Sequence, residues 1–134
     1  MNRKKLLHAF ESTATAEGYS FYSASDYLIS STTKCYPAMW LSPPQLSSIE
    51  GRTHGKATYS VTLHALQATA KMAPSMREQV AQSMEQELLD LFTTLSKKDF
   101  VISVEELAIR HSTQTIASHD KIALTATADI ITFF

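Results

Sequence analysis

The stretch that decides the fold is ATYSVTLHAL, residues 57–66, in which apolar and polar side chains alternate. One set is apolar and the other is polar: Tyr59, Val61, Leu63 and Ala65 against Thr58, Ser60, Thr62 and His64. A period of two is typical of a strand with one buried face and one wet face. The sequence therefore predicts a half-buried strand that needs a second layer on its apolar side.

The segment that follows predicts this second layer. A helix opens at 73–75 and runs to about Lys97, and Pro74 suits its first turn because the N–H group there has no helical partner. Ser75 and Glu78 have the spacing of a capping box. An apolar stripe recurs at helical spacing along the segment: Val80, Met84, Leu88, Leu91 and Leu95. We expect this stripe to pack on the sheet.

Two more strands are predicted after the helix, at about Val104–Arg110 and Ile122–Phe134. The polar connection between them, Ser112–Asp120, is long for a tight hairpin, so we expect its tip to project. Alternate residues of the last strand are small or polar, which suits a face that is solvated or meets another subunit.

Upstream, Lys4 to about Glu17 is predicted as a helix, with Gly18 placed to end it. The aromatic and serine-rich stretch that follows, Tyr19 to Ile29, fits either a strand or an ordered loop. Both possibilities stay open.

Tyr36–Leu41 is a short apolar segment bounded by prolines. Because Pro37 has no backbone donor, we predict a strand at a sheet edge or with a bulge. The polar segment Ser42–Lys56 contains two of the three glycines and is predicted to be a mobile, exposed loop.

Together these elements predict an α+β fold. Its sheet is mainly antiparallel with four strands or slightly more, a long helix packs on one face, and a short helix stands at the N-terminus. The chain is expected to form a single domain over residues 1–134, with an N-terminal helix and irregular segment over 1–35 and a sheet–helix–sheet core over 36–134.

Composition excludes several classes of protein. The formal net charge of −1 argues against a strongly basic nucleic-acid binder. A single cysteine, Cys35, excludes an internal disulfide. No apolar run approaches the ~18 residues of a membrane span. We therefore expect a soluble, unexported protein without a membrane partner.

The sequence contains little that indicates catalysis. None of the three glycines forms a phosphate-binding cluster, and the five histidines never occur at the i, i+4 spacing of helical zinc sites. His111 and His119, with Asp120 adjacent, flank the last connection and could meet in a metal or hydrolase site, or they could be ordinary polar loop residues. We expect no enzyme activity, no metal and no cofactor.

Two features are candidates for binding. Trp40 beside Pro43-Pro44 is either a ligand platform or interface anchor, or a core residue that closes one end of the sheet. The basic group Arg52, His54 and Lys56 could touch phosphate or could simply be solvated.

The order of these elements resembles the tail-terminator and head–tail connector proteins of long-tailed bacteriophages. The resemblance lies in residues 36–44 (YPAMWLSPP), 54–64 (HGKATYSVTLH) and 123–134 (ALTATADIITFF). It implies a structural protein that forms a hexameric ring on the tail tube and presents a surface to the head. Its partners would be further copies of itself, the tail tube and head-completion proteins. Its location would be the cytoplasm during assembly and then the virion.

By the same resemblance, the long loop and the hairpin tip would be the docking surfaces. The candidate assembly surface is then Trp40, Arg52, His54, Lys56, His111, His119 and Asp120. An alternative function is a small-ligand or peptide-binding α+β module that uses the sheet face near Trp40. A third is a hydrolase or metal enzyme built on His111, His119 and Asp120.

Overall fold

A computed structural model of the chain describes residues 2–24, 36–51, 55–68, 72–111 and 121–133. It contains two helices and six strands within these ranges. In chain order they are α1 (Asn2–Ala16), β1 (Ser20–Ser23), β2 (Ala38–Leu41), β3 (Gln45–Glu50), β4 (Lys56–Ala68), α2 (Pro74–Ser96), β5 (Val101–His111) and β6 (Lys121–Phe133).

The two longest strands form the centre of the sheet. β4 and β6 are antiparallel and pair over their full lengths, from Lys56 opposite Phe133 to Ala68 opposite Lys121. β5 pairs with the other edge of β6, and β2 and β3 share the other edge of β4. β1 extends the sheet beyond β2 as its parallel neighbour, so the order is β1-β2-β4-β6-β5 with β3 beside β4.

The α+β class is confirmed, and the predicted sheet of four strands or slightly more agrees only roughly with the mixed six-stranded sheet that is observed. Both helices and the strands β2, β4, β5 and β6 lie close to their predicted positions. β3 was not predicted, β1 lies in the stretch for which a strand was one of two alternatives, and the pairing of β1 with β2 is parallel. β1 resolves part of the open aromatic stretch as a strand, and residues 25–29 of that stretch lie outside the described residues.

The prediction that the strand after Pro37 lies at an edge or carries a bulge is wrong. β2 lies between β1 and β4, and its pairings with both are regular. Pro37 precedes the first strand residue, so its missing N–H group interrupts no ladder, and its carbonyl still accepts a hydrogen bond from the Ser20 N–H at 2.9 Å.

The predicted exposed loop from Ser42 to Lys56 contains the strand β3, so the loop prediction is wrong for these six residues. All of β3 is solvent-exposed, in agreement with its polar character. A bulge interrupts its pairing with β4 between Leu46 and Ser48, and Ser47 Oγ donates a hydrogen bond to the Thr58 carbonyl at 3.0 Å. Residues 52–54 lie outside the described residues.

Both helices pack on the same face of the sheet and share one core. The apolar residues of β4 that alternate with its polar ones are buried in this core, as predicted. Phe10 of α1 meets Phe92 of α2 edge to face, with ring centres 5.8 Å apart. Because α1 contributes to the main core, its position is fixed relative to the sheet and to α2.

The end of α1 and the start of α2 have different capping structures. Gly18 ends α1 with φ of 88°, and the Tyr19 N–H donates to the Ala14 carbonyl across it, as in a Schellman motif. The predicted capping box on α2 is not formed, because Ala73 is the N-cap and makes no side-chain cap hydrogen bond.

Leu88→Ala tests the packing of α2 on the sheet. Leu88 is fully buried in the main core, so we expect a loss of about 2–5 kcal/mol of unfolding free energy, the usual cost of a leucine cavity. Urea denaturation measures it. Leu89, the next residue, is 40% exposed, and Leu89→Ala is the matched control with an expected change within about 0.5 kcal/mol. Equal losses in the two variants would contradict this packing.

Candidate assembly surface

Trp40 lies in a second, smaller core on the face of the sheet opposite the helices. Its side chain is 0% exposed, its indole Nε1 donates to the Ala24 carbonyl at 3.0 Å, and its ring stacks on Tyr22 with centres 5.8 Å apart. Ala38, Leu66 and Ala123 complete this core. Trp40 is therefore a core residue, and its assignment to an exposed assembly surface is wrong.

Lys56 and His111 are both exposed, and the sheet holds them at opposite ends. Lys56 begins β4 and pairs with Phe133, whereas His111 ends β5 and pairs with Leu124. Phe133 and Leu124 are nine positions apart on β6, which corresponds to roughly 30 Å at about 3.3 Å per residue. The structure therefore does not bring these two predicted site residues together.

The other predicted surface residues, Arg52, His54, His119 and Asp120, lie outside the described residues. The alternative of a metal or hydrolase site depends on two of them, His119 and Asp120. Within the part of the chain that the structure describes, no three His, Cys, Asp or Glu side chains are grouped so that they could hold a metal ion.

β3 forms an open edge that the sequence reasoning missed. Leu46 and Ile49 lie opposite Tyr59 and Ala57, on the helix side of the sheet, yet they are 39% and 53% exposed. No described strand pairs with the outer edge of β3. The signal in the sequence was weak, because the serine pair between Leu46 and Ile49 breaks the alternation expected of a strand.

The opposite edge of the sheet, β5, has a different character. Its pairing with β6 shifts register twice, between Val101 and Ser103 and between Glu105 and Ala108. Glu106 lies in the second shift with φ of 57°, in the left-handed region. Bulges and charged residues of this kind hinder the pairing of a further strand.

The sheet face opposite the helices is polar along the centre of β4 and β6. Ser60 Oγ donates to Asp129 Oδ1 at 2.9 Å, and His64 Nδ1 lies 2.9 Å from Thr125 Oγ1. Each pair joins residues that are directly opposite in the ladder. These contacts satisfy polar side chains within the sheet, as expected of the alternating sequence.

An acidic cleft lies where α1 ends against α2. Glu17, Tyr19 and Glu87 are among the residues that line it, together with apolar side chains such as Val80 and Met84, and its volume is about 410 Å³. The Tyr19 hydroxyl is hydrogen-bonded to Glu87, and burial together with this bond raises the pKa of Tyr19. Sequence reasoning missed this group because Glu17 and Glu87 are distant in the chain.

Glu17 is the unusual member of the cleft. One oxygen of its carboxyl group, Oε2, is buried and has no hydrogen-bond partner among the described residues. Burial, with smaller contributions from the carboxylates of Glu87 and Asp90, raises the pKa of Glu17 to about 7. The cleft can therefore take up a proton near neutral pH.

No known protein family matches this chain, and no curated protein does either.

Neither of the two described helices is long and apolar enough to cross a membrane.

Glu17→Gln is expected to change how stability depends on pH. The folded protein holds the Glu17 proton more tightly than the unfolded chain, where the pKa is near 4.5. The contribution of Glu17 to the free energy of unfolding is therefore largest below about pH 4.5, and it is lost as the pH rises to about 7. The variant should thus melt at a higher temperature than the parent at pH 8, and the two should converge at pH 4.5.

Thermal unfolding at several pH values measures this difference. Glu11→Gln, at an exposed position of α1, is the control and should show a smaller dependence on pH. A difference between Glu17→Gln and the parent that stays constant from pH 4.5 to 8 would contradict the assigned environment of Glu17.

Proposed function

We propose that this chain is a structural assembly protein of a phage or prophage particle, of the tail-terminator or head–tail joining type, that acts as a ring of identical subunits. The proposal rests on the resemblance of residues 36–44, 54–64 and 123–134 to such proteins, and on the geometry of the described surfaces. It assigns the chain no catalytic step.

The observation that carries the proposal is the position of the two exposed strand ends. Lys56, next to the connection after β3, and His111, before the connection to β6, lie at opposite ends of one continuous sheet. A joining protein must contact one partner on each of two sides at once. A sheet whose connections leave from opposite ends is suited to that task, because each partner can be contacted without displacing the other.

Trp40 weakens the alternative function, a ligand- or peptide-binding module on the nearby sheet face. Its indole ring is enclosed by Tyr22 and Ala38 and its N–H group is already bonded. A ligand could reach the ring only if this small core opened. We therefore favour the assembly function.

Ring formation is the first expectation of the proposal. Sedimentation velocity over a wide range of protein concentrations, with and without magnesium, should show a discrete ring-sized species that grows with concentration. Negative-stain electron microscopy should show rings of uniform diameter in the same samples. A protein that never exceeds a dimer under these conditions would contradict the ring.

Charge reversal at one sheet end tests where the contacts lie. If this end contacts a neighbouring subunit, Lys56→Glu should abolish the ring species. The melting temperature should fall only slightly, because Lys56 is exposed although Glu50 lies opposite it in the ladder. His111→Glu should have the same effect at the other end if both ends contact neighbours. Glu11→Lys, which reverses a charge at an exposed position of α1, is the control and should form rings normally. Rings that survive both Lys56→Glu and His111→Glu would place the contacts elsewhere.

A further inference from the structure

We infer that β3 is a self-pairing strand, through which a second copy of this chain adds to the sheet in a two-fold, antiparallel arrangement. The partner is thus chemically defined as the same six-residue strand. This inference is independent of the proposed function, since it concerns one edge of the sheet and requires no ring.

The first argument is the pattern of β3 itself, which reads nearly the same in both directions. Its residues Gln-Leu-Ser-Ser-Ile-Glu, 45–50, have a polar residue at each end, an apolar residue next to each end and a serine pair at the centre. Two antiparallel copies placed in register oppose Leu46 to Ile49 and Gln45 to Glu50. Each apolar side chain then meets an apolar one, and no like charges are opposed.

The second argument is that the faces match as well as the residues. Leu46 and Ile49 both lie on the helix side of the sheet, opposite Tyr59 and Ala57, and Gln45 lies on the other side, opposite Ser60. The bulge after Leu46 makes this possible, since residues three apart in a regular strand would point to opposite faces. The two-fold pairing therefore gathers four apolar side chains on one face.

The third argument concerns what these side chains gain. Leu46 and Ile49 belong to the large hydrophobic residues that the described fold leaves exposed, at 39% and 53%. A two-fold axis perpendicular to the sheet places the helices of both copies on the same side. The four side chains then lie between the two helix layers and shield one another from water.

The fourth argument is that the other long edge, β5, is less suited to be the partner. β5 carries two register shifts and the charged residues Glu105, Glu106 and Arg110, all of which hinder strand addition. β3 carries a single shift, and its central residues are uncharged. Pairing of β3 with β3 therefore accounts for the exposed apolar residues better than pairing of β3 with β5 of a neighbour.

Single-cysteine variants test the register directly. In a Cys35→Ser background, Leu46→Cys and Ile49→Cys are prepared separately and then mixed under mild oxidation. The pairing places residue 46 of one copy opposite residue 49 of the other, at a Cα separation of about 4.5–5.5 Å that a disulfide can span. We expect disulfide-linked dimers in the mixture and none with either variant alone.

A charge substitution tests the same pairing without new cysteines. In sedimentation velocity the parent should show a monomer–dimer step, and Ile49→Arg should remove it without lowering the melting temperature. Leu89→Arg is the control, because Leu89 is a similarly exposed apolar residue on α2, and it should keep the dimer.

Three results would overturn the inference: a parent protein without a dimer step, disulfides in Ile49→Cys alone, or disulfides between Ile49→Cys and an Ile109→Cys variant on β5. The ring is judged separately. Rings without the 46–49 disulfide would leave the proposed function intact and overturn the self-pairing. The 46–49 disulfide without rings would support the self-pairing and contradict the proposed ring.

Discussion

The antiparallel ladder between β4 and β6 is the interaction on which the rest of the structure depends. It joins thirteen residue pairs without interruption, from Lys56 and Phe133 at one end to Ala68 and Lys121 at the other. Because directly opposite residues share a face, this single register sorts both strands into an apolar side and a polar side. The two helices pack on the larger apolar face, and β2, β3 and β5 add directly to the two edges of the ladder.

On the side of β4 away from β6, the outer edge of the sheet is covered beside β2 and open beside β3. β2 and β3 follow one another along that edge, and Pro43 and Pro44 between them provide no N–H groups. Ser42 makes the last bond before the break, from its N–H group to the Thr62 carbonyl at 3.0 Å. The break is held from the helix side, where Arg3 Nη1 donates to the Pro44 carbonyl at 2.6 Å. β1 covers the outer edge of β2, whereas no described strand covers the outer edge of β3.

The central elements were predictable from the sequence because each has a clean period over many residues. β4 alternates from Ala57 to Ala65 and α2 repeats its apolar stripe over about four turns, so local pattern and tertiary packing agree. β3 was not predictable in the same way. It is short and wholly exposed, and its bulge at the serine pair shifts the alternation by one residue. Only the pairing with β4 identifies it as a strand.

The site residues were harder to predict than the fold, for a physical reason that Trp40 illustrates. An indole ring is amphipathic, so a tryptophan near a strand end fits a buried core as well as an exposed surface. What decides is whether its N–H group finds a partner, and the partner, Ala24, is sixteen residues away in the chain. The Glu17 environment depends in the same way on Glu87 and Asp90 of α2. Contacts between distant segments leave no local pattern.

The energetics of the open edge indicate what kind of association this fold permits. Backbone groups at an open strand edge exchange hydrogen bonds with water for hydrogen bonds with the added strand, so each new bond gains only about 0.5–1.5 kcal/mol. The apolar contribution comes from two partly exposed side chains, Leu46 and Ile49. An edge this short therefore favours reversible pairing over a permanent dimer. For such an edge, the match of residues and faces along the strand determines which partner is accepted, because the interaction energy alone discriminates little between partners.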